Sequence, residues 1–97
     1  MSYFVYIIFS KRLNRFYIGF TKDLDNRIQE HNSGESPYTS QGMPWKLIWT
    51  TTKSTTRSAE VLEQKLKNLS RDRKIKFIKK YKEGIRDPDI FNEKNSC

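Results

Sequence analysis

Residues 3 to 9, Tyr-Phe-Val-Tyr-Ile-Ile-Phe, form an unbroken run of aromatic and β-branched side chains. A run this short and this rich in strand formers predicts a strand covered on both faces. Lys11-Arg12-Leu13-Asn14 interrupts it and Phe16-Tyr-Ile-Gly-Phe-Thr21 resumes it, which predicts a β-hairpin. If the loop is the four residues 11 to 14, Ser10 pairs with Arg15 and Gly19 falls opposite Tyr6. Opposed residues share a face, as do residues two apart along a strand, so this register puts Tyr6, Tyr17 and Gly19 on one side. A two-residue loop keeps that parity, whereas a three-residue loop turns Tyr17 to the other face. The glycine fits a close backbone approach or a simple bulge.

After the hairpin the period changes. Asp23 is placed to cap a helix over 24 to 33, with Leu24 and Ile28 four apart toward the sheet, Arg27 and His31 four apart on the adjoining face, and Gly34 as its stop. Residues 35 to 44 carry Pro, Gly and Ser punctuation and predict a mobile loop. Trp45-Lys-Leu-Ile-Trp-Thr-Thr-Thr52 alternates, predicting a third strand with Trp45, Leu47 and Trp49 on one face. Ser54, Thr55 and Thr56 offer N-caps for a second helix whose core stripe is Ala59, Leu62, Leu66 and Leu69. Ser70 caps or kinks the junction to a third helix with Ile75, Ile78 and Tyr81 on its apolar side, ended by Gly84. The pattern is ββαβαα: an α+β domain over 1–83 with a small, mainly antiparallel three-stranded sheet flanked by helices, then a loosely held tail over 84–97.

Ninety-seven residues suffice for one domain burying about 60 to 65% of its unfolded surface. Hydrophobic content of 35% is that of a globular chain, and 31% charged residues give it a heavily solvated exterior. One cysteine, Cys97, excludes an intrachain disulfide and fits a reducing cytoplasm. The apolar run at 3 to 9 is too short to span a bilayer and lacks the flanks of a signal peptide. A soluble cytoplasmic protein is expected.

Net charge is +8, and its placement is more informative than its size. Between Lys65 and Lys82 nine basic residues meet one acid, Asp72, while the rest of the chain balances ten against ten. A focused basic stripe is the footprint of a polyanion partner. A lysine-rich helix face that is merely solvated gives the same pattern. An anionic membrane surface fits less well, because no Trp or cluster of Leu accompanies the basic residues.

No Gly-rich phosphate loop, CxxC pair or HExxH occurs. What stands out is Tyr6, Tyr17, Arg27, His31 and Glu63. Phe4-Val5-Tyr6, ten intervening residues, Tyr17-Ile18-Gly19, Arg27 eight positions after that glycine, His31, and Ala59-Glu-Val-Leu-Glu63 follow in order. On these the sequence resembles the GIY-YIG nuclease superfamily, in particular a short stand-alone bacterial branch related to the N-terminal nuclease domain of the excinuclease ABC system. His-Asn-Ser-Gly at 31 to 34, Pro44-Trp45-Lys46-Leu47 and Leu69-Ser70-Arg71 extend the likeness over about residues 3 to 80. The chain departs from the pattern where Phe4-Val5 replaces Gly-Ile, where Phe20 replaces a lysine, and where Ile75 and its neighbours stand in place of an asparagine.

The resemblance implies hydrolysis of a nucleic-acid phosphodiester, DNA before RNA, in a setting such as repair or recombination. Glu63 would be the carboxylate for Mg²⁺ or Mn²⁺, an ion commonly held by one or two carboxylates plus water and phosphate oxygens. Glu60 competes for that role, but Glu63 matches the family position and stays beside the core stripe. Tyr6 or Tyr17 would position or activate the attacking water, with help from a nearby cation because a phenol has a pKa near 10. Arg27 would fork onto the phosphate, and His31 would donate to a phosphate oxygen or relay a proton, unless it simply caps its helix. Lys65, Arg71, Arg73, Lys74 and Lys76 would hold the nucleic-acid backbone, and Gly19 would leave room for a phosphate between the phenols and the metal. The alternative is a nucleic-acid-binding module of the same fold with little or no catalysis, working with a protein partner that supplies specificity. A small protein-interaction domain with a basic face is a third reading.

Overall fold

The two aromatic runs pair as antiparallel strands, β1 (Tyr3–Ser10) and β2 (Arg15–Thr21), in the computed structural model, which describes residues 2–87. Ser10 faces Arg15 and Tyr6 faces Gly19, the register of the four-residue loop. Asn14 closes that loop at φ 56°, a left-handed conformation that asparagine adopts more readily than most residues. β3 (Trp45–Lys53) joins the free edge of β1, also antiparallel, giving the order β2-β1-β3. The central strand is thus the one whose sequence is apolar on both faces.

Strict alternation fails in β3. Leu47 pairs with Ile8 and Trp49 with Ile7, so Ile48 is the extra residue of a β-bulge. Trp45 and Leu47 stand with Tyr6 and Ile8 on one side of the sheet, while Ile48 and Trp49 both enter the core on the other. The expected face for Trp49 is therefore reversed.

Helix α1 (Leu24–Ser33) covers the Tyr6 side, packing Leu24 and Ile28 against Tyr6, Ile8 and Trp45. Asp23 caps it, accepting from the Asn26 amide at 3.2 Å, and Gly34 ends it at φ 86°. Helices α2 (Thr56–Lys67) and α3 (Arg71–Lys80) cover the other side. Thr55 and Ser70 are their caps, each hydroxyl accepting from an amide three residues on. Ala59, Leu66 and Ile78 bury completely against Val5, Ile7, Ile18, Ile48 and Trp49, forming the main core. On α3 the core-facing partner of Ile78 is Phe77, whose ring meets Trp49 at 5.2 Å, whereas Tyr81 remains 42% exposed.

Residues 84–87, assigned by their composition to the tail, lie against β3. Gly84 sits under the Trp49 indole, Ile85 bridges to Trp49, and the Arg86 amide donates to the Ile48 carbonyl at 2.7 Å. Asp87 pairs with Lys46 at 3.5 Å. The rest of the expected tail, with Cys97, lies outside the described residues. Among the described residues no helix is long and apolar enough to cross a membrane.

Candidate active site

The hairpin register brings Tyr6 and Tyr17 to the α1 side, and His31 comes down between them from the last turn of that helix. The His31 ring meets Tyr17 edge-on at 5.0 Å between centroids and Tyr6 at 5.8 Å. Its Nε2 shares a 2.8 Å hydrogen bond with the Tyr6 hydroxyl, and its Nδ1 a 2.9 Å bond with the Thr39 hydroxyl. Thr39, His31 and Tyr6 are all buried. The loop expected to be mobile is pinned at Thr39, whose carbonyl accepts from the Trp45 indole at 2.7 Å. Asn32 exchanges two hydrogen bonds with the Trp45 backbone, tying the end of α1 to the start of β3.

Gly19 gives the Tyr6 ring its place. A Cβ on Gly19 would stand 2.6 Å from the phenol oxygen and 2.9 Å from Cζ. The space expected for a phosphate is therefore filled by the phenol of Tyr6 itself. Burial pushes the Tyr6 pKa up to about 12, even though the nearby Arg27 guanidinium pulls the other way; the charges of Tyr17 and Glu63 add to the rise. Burial likewise pulls His31 down to about 4, with Arg27 acting in the same sense and Glu30 opposing. His31 is neutral at pH 7 and has no exposed surface, so direct donation to a phosphate is closed to it.

Arg27 lies one turn before His31 and is partly exposed. Its Nη1 donates to Glu30 Oε1 at 2.7 Å, and Asn26 holds the other Glu30 oxygen at 3.1 Å. The hydrogen bond to Glu30 raises the pKa of Arg27 and lowers that of Glu30. Tyr17 is only partly buried, in contrast to Tyr6, with Trp45 at 6.2 Å along its other side. Glu63 approaches from α2, on the opposite layer, with a side chain 14% exposed and Lys67 Nζ 3.3 Å from its Oε2. Glu60 is exposed. Of the five residues singled out in the sequence, Tyr6, Tyr17 and His31 meet ring to ring, and the charges of Arg27 and Glu63 bear on the Tyr6 phenol.

The family described as the GIY-YIG catalytic domain matches residues 2–82. The chain is a member of the GIY-YIG family. Its relatives include short bacterial proteins: a UPF0213 protein of Bacillus licheniformis, 35% identical and aligned over 87% of this chain and 88% of its own, and the UPF0213 protein YazA of Bacillus subtilis, 36% identical over 79% and 78%. The solution NMR structure of a UPF0213 protein from Bacillus halodurans shares 34% identity, with a TM-score of 0.54 over 81% of this chain and 84% of that one. The α+β fold and the stand-alone branch are therefore those the motifs implied. Membership implies nuclease-type chemistry.

GIY-YIG chemistry calls on a metal, and the donor set limits which kind. No three His, Cys, Asp or Glu side chains among the described residues gather closely enough to hold an ion. A single, partly exposed carboxylate, Glu63, fits a hydrated hard cation such as Mg²⁺, which takes its remaining oxygens from water and substrate.

The basic residues divide. Lys65, Arg73 and Lys76 are exposed. Arg71 instead donates to the Asn14 carbonyl and side chain, both at 2.8 Å, and lies over the rings of Phe16 and Phe9; Lys74 donates to the Leu69 carbonyl at 2.7 Å. These two brace the hairpin loop and the α2–α3 junction. Thr39, Asn32 and Glu30 escaped the sequence reading. Thr39 sits in an aperiodic loop, and only an i,i+3 spacing from Arg27 hinted at Glu30.

Proposed function

We propose that this GIY-YIG domain is a divalent-metal-dependent endonuclease that hydrolyses DNA phosphodiester bonds. The observation that carries this reading is the packing of Tyr6 and Tyr17 about the His31 ring, with the Arg27 and Glu63 charges bearing on the Tyr6 phenol. Glu63 would hold Mg²⁺ or Mn²⁺, and the ion would supply Lewis-acid polarisation of the scissile phosphate and charge stabilisation of the leaving oxygen. Arg27 exchanges its Glu30 partner for two phosphate oxygens, a bidentate geometry that suits guanidinium. Tyr17, the more accessible phenol, positions the attacking water. Tyr6, protonated at neutral pH, is held by His31 and keeps its neighbours in register. His31 lacks a carboxylate on Nδ1 to stabilise an imidazolium; the neutral Thr39 hydroxyl faces it instead, so it positions Tyr6 and accepts no proton. The exposed Lys65, Arg73 and Lys76 carry the backbone contacts.

The test is cleavage of supercoiled, flapped, branched and single-stranded DNA with Mg²⁺, Mn²⁺ or chelator. Metal-dependent nicking, lowered at least about a hundredfold in Glu63→Ala and Tyr17→Phe, is expected. Intact DNA throughout would reject it. One observation favours the second reading, a binding module acting with a protein partner: both Arg27 and Glu63 already have counter-ions within the fold. That reading predicts salt-sensitive binding without cleavage. Repair or recombination in the cytoplasm is the setting that suits either.

A further inference from the structure

Beside Arg27 a groove of about 330 Å³ opens between α1 and the loop that follows it, lined by Arg27, Glu30, Glu35, Ser36, Pro37 and Tyr38. Its two walls differ in chemistry. The α1 wall carries the Arg27 guanidinium with its partner Glu30, and the loop wall carries the Glu35 carboxylate, the Ser36 hydroxyl and Tyr38. Tyr38 is 87% exposed, the most exposed large hydrophobic side chain described. Its neighbour Thr39 is fully buried and hydrogen-bonded to His31, so the loop carrying Tyr38 is fixed to the residue that orients Tyr6. A ring this open on an anchored loop gains little from the fold and is available to a ligand in the groove.

We propose that this groove seats one unpaired nucleobase, stacked on Tyr38, while the adjoining phosphate lies on Arg27. The inference rests on the nuclease reading for the Arg27 contact, and it adds the strandedness and base chemistry of the ligand. Three features favour it. Aromatic side chains bind single-stranded nucleic acid through stacking on the base's π-face, which an internal base of a duplex does not present. The Glu35 carboxylate repels the phosphates of a second strand but accepts a hydrogen bond from an exocyclic amino group such as cytosine N4. Arg27 is the one basic residue in the lining, so it marks where the phosphate would lie. Pyrimidines with an amino group, cytosine over thymine, are the bases selected.

The experiment measures binding apart from cleavage, using the full chain in chelator with a short oligodeoxynucleotide carrying 2-aminopurine, alongside unlabelled oligo(dC), oligo(dT) and a blunt duplex. Expected are quenching of 2-aminopurine on binding, about tenfold weaker single-strand affinity in Tyr38→Ala, near-parental affinity in Tyr38→Trp, and little change toward the duplex. Oligo(dC) should bind better than oligo(dT), and Glu35→Gln should narrow that gap. Thermal unfolding of Tyr38→Ala should match the parent, since the side chain is exposed. Parental single-strand affinity in Tyr38→Ala, or no single-strand binding at low salt, overturns the proposal and leaves the groove to another occupant, such as a protein segment. Tyr38-dependent quenching without any cleavage under Mg²⁺ would keep this inference while removing the nuclease reading. Cleavage of single strands that ignores Tyr38→Ala would do the reverse.

Discussion

Tyr6 and Gly19 behave as one unit. The phenol lies where a Cβ on Gly19 would be, and from there it reaches His31. Gly19→Ala should therefore destabilise the fold by about 1–3 kcal/mol through overpacking, and it should also lower activity by displacing the Tyr6 hydroxyl from His31. Denaturant unfolding gives the first quantity and single-turnover cleavage the second; unchanged values for both would mean the ring relocates freely. His31 allows a pH test. Buried and neutral, it titrates near 4 in the folded chain, against the ordinary 6.5 when unfolded. Between those values the unfolded state binds the extra proton, so stability is retained above pH 6.5 and lost as pH falls toward 4, by up to about 3 kcal/mol. Burial sets most of this shift, the Arg27 guanidinium adds to it and the Glu30 carboxylate opposes it; Tyr6, Tyr17 and Thr39 are the other groups against the ring. In His31→Gln the acid-side loss should shrink by that amount in urea titrations from pH 4 to 7, and an unchanged slope would place the acid sensitivity elsewhere. At this scale the Tyr6–Gly19 pairing was legible because loop length alone sets hairpin register. The burial of His31 was not, because it depends on Thr39, a loop residue with no period to mark it.

Elements tell a similar story, with the exceptions at irregularities. Caps at Asp23, Thr55 and Ser70 could be read from side-chain chemistry, since each hydroxyl or carboxylate satisfies an otherwise orphaned amide. The bulge at Ile48 could not, because a one-residue insertion leaves no mark in a short apolar run; it sends Trp49 into the α2–α3 core, where Gly84 and Ile85 then dock. Helix α3 shows why a basic stripe is not uniformly a binding surface. Arg71 commits its guanidinium to Asn14 and its plane to Phe9 and Phe16, whereas Arg73 and Lys76 point to solvent. Arg71→Ala should cost roughly 1–3 kcal/mol of stability by releasing two charged hydrogen bonds that hold the hairpin loop, and Lys should substitute poorly because it cannot fork. Arg73→Ala with Lys76→Ala should leave stability within about 0.5 kcal/mol and instead weaken DNA binding at every sequence. Thermal melts and fluorescence anisotropy separate the two classes; equal loss of stability in both would erase the distinction.

Across the whole molecule, the sheet separates two tasks. Its α1 face carries the phenols, Arg27 and His31, while α2 and α3 on the other face carry Glu63 and the excess of positive charge. A nucleic acid held by the positive charge of α2 and α3, with one phosphate beside the Tyr6 phenol on which the Glu63 charge also bears, touches both layers, so affinity and chemistry should be separable. Affinity comes from phosphate contacts and falls with salt at about 0.7 to 0.9 in log K per contact and decade. On the proposed mechanism chemistry depends on Glu63, which contributes a negative charge and therefore nothing favourable to binding a polyanion in the absence of metal. Glu63→Ala should bind DNA in chelator as tightly as the parent or somewhat more tightly, with a salt slope unchanged or steeper by up to about one contact, and should lose metal-dependent nicking. Removing Glu63 also frees the Lys67 ammonium for a phosphate, which pushes affinity in the same direction. Lys67→Met separates these contributions: it leaves the carboxylate without its counter-ion, so it should weaken DNA binding in chelator while lowering the Mg²⁺ concentration needed for half-maximal nicking. If Lys67→Met instead raises that concentration, Lys67 supports the metal site rather than competing for it, and the pair is part of the catalytic assembly instead of a resting-state placeholder.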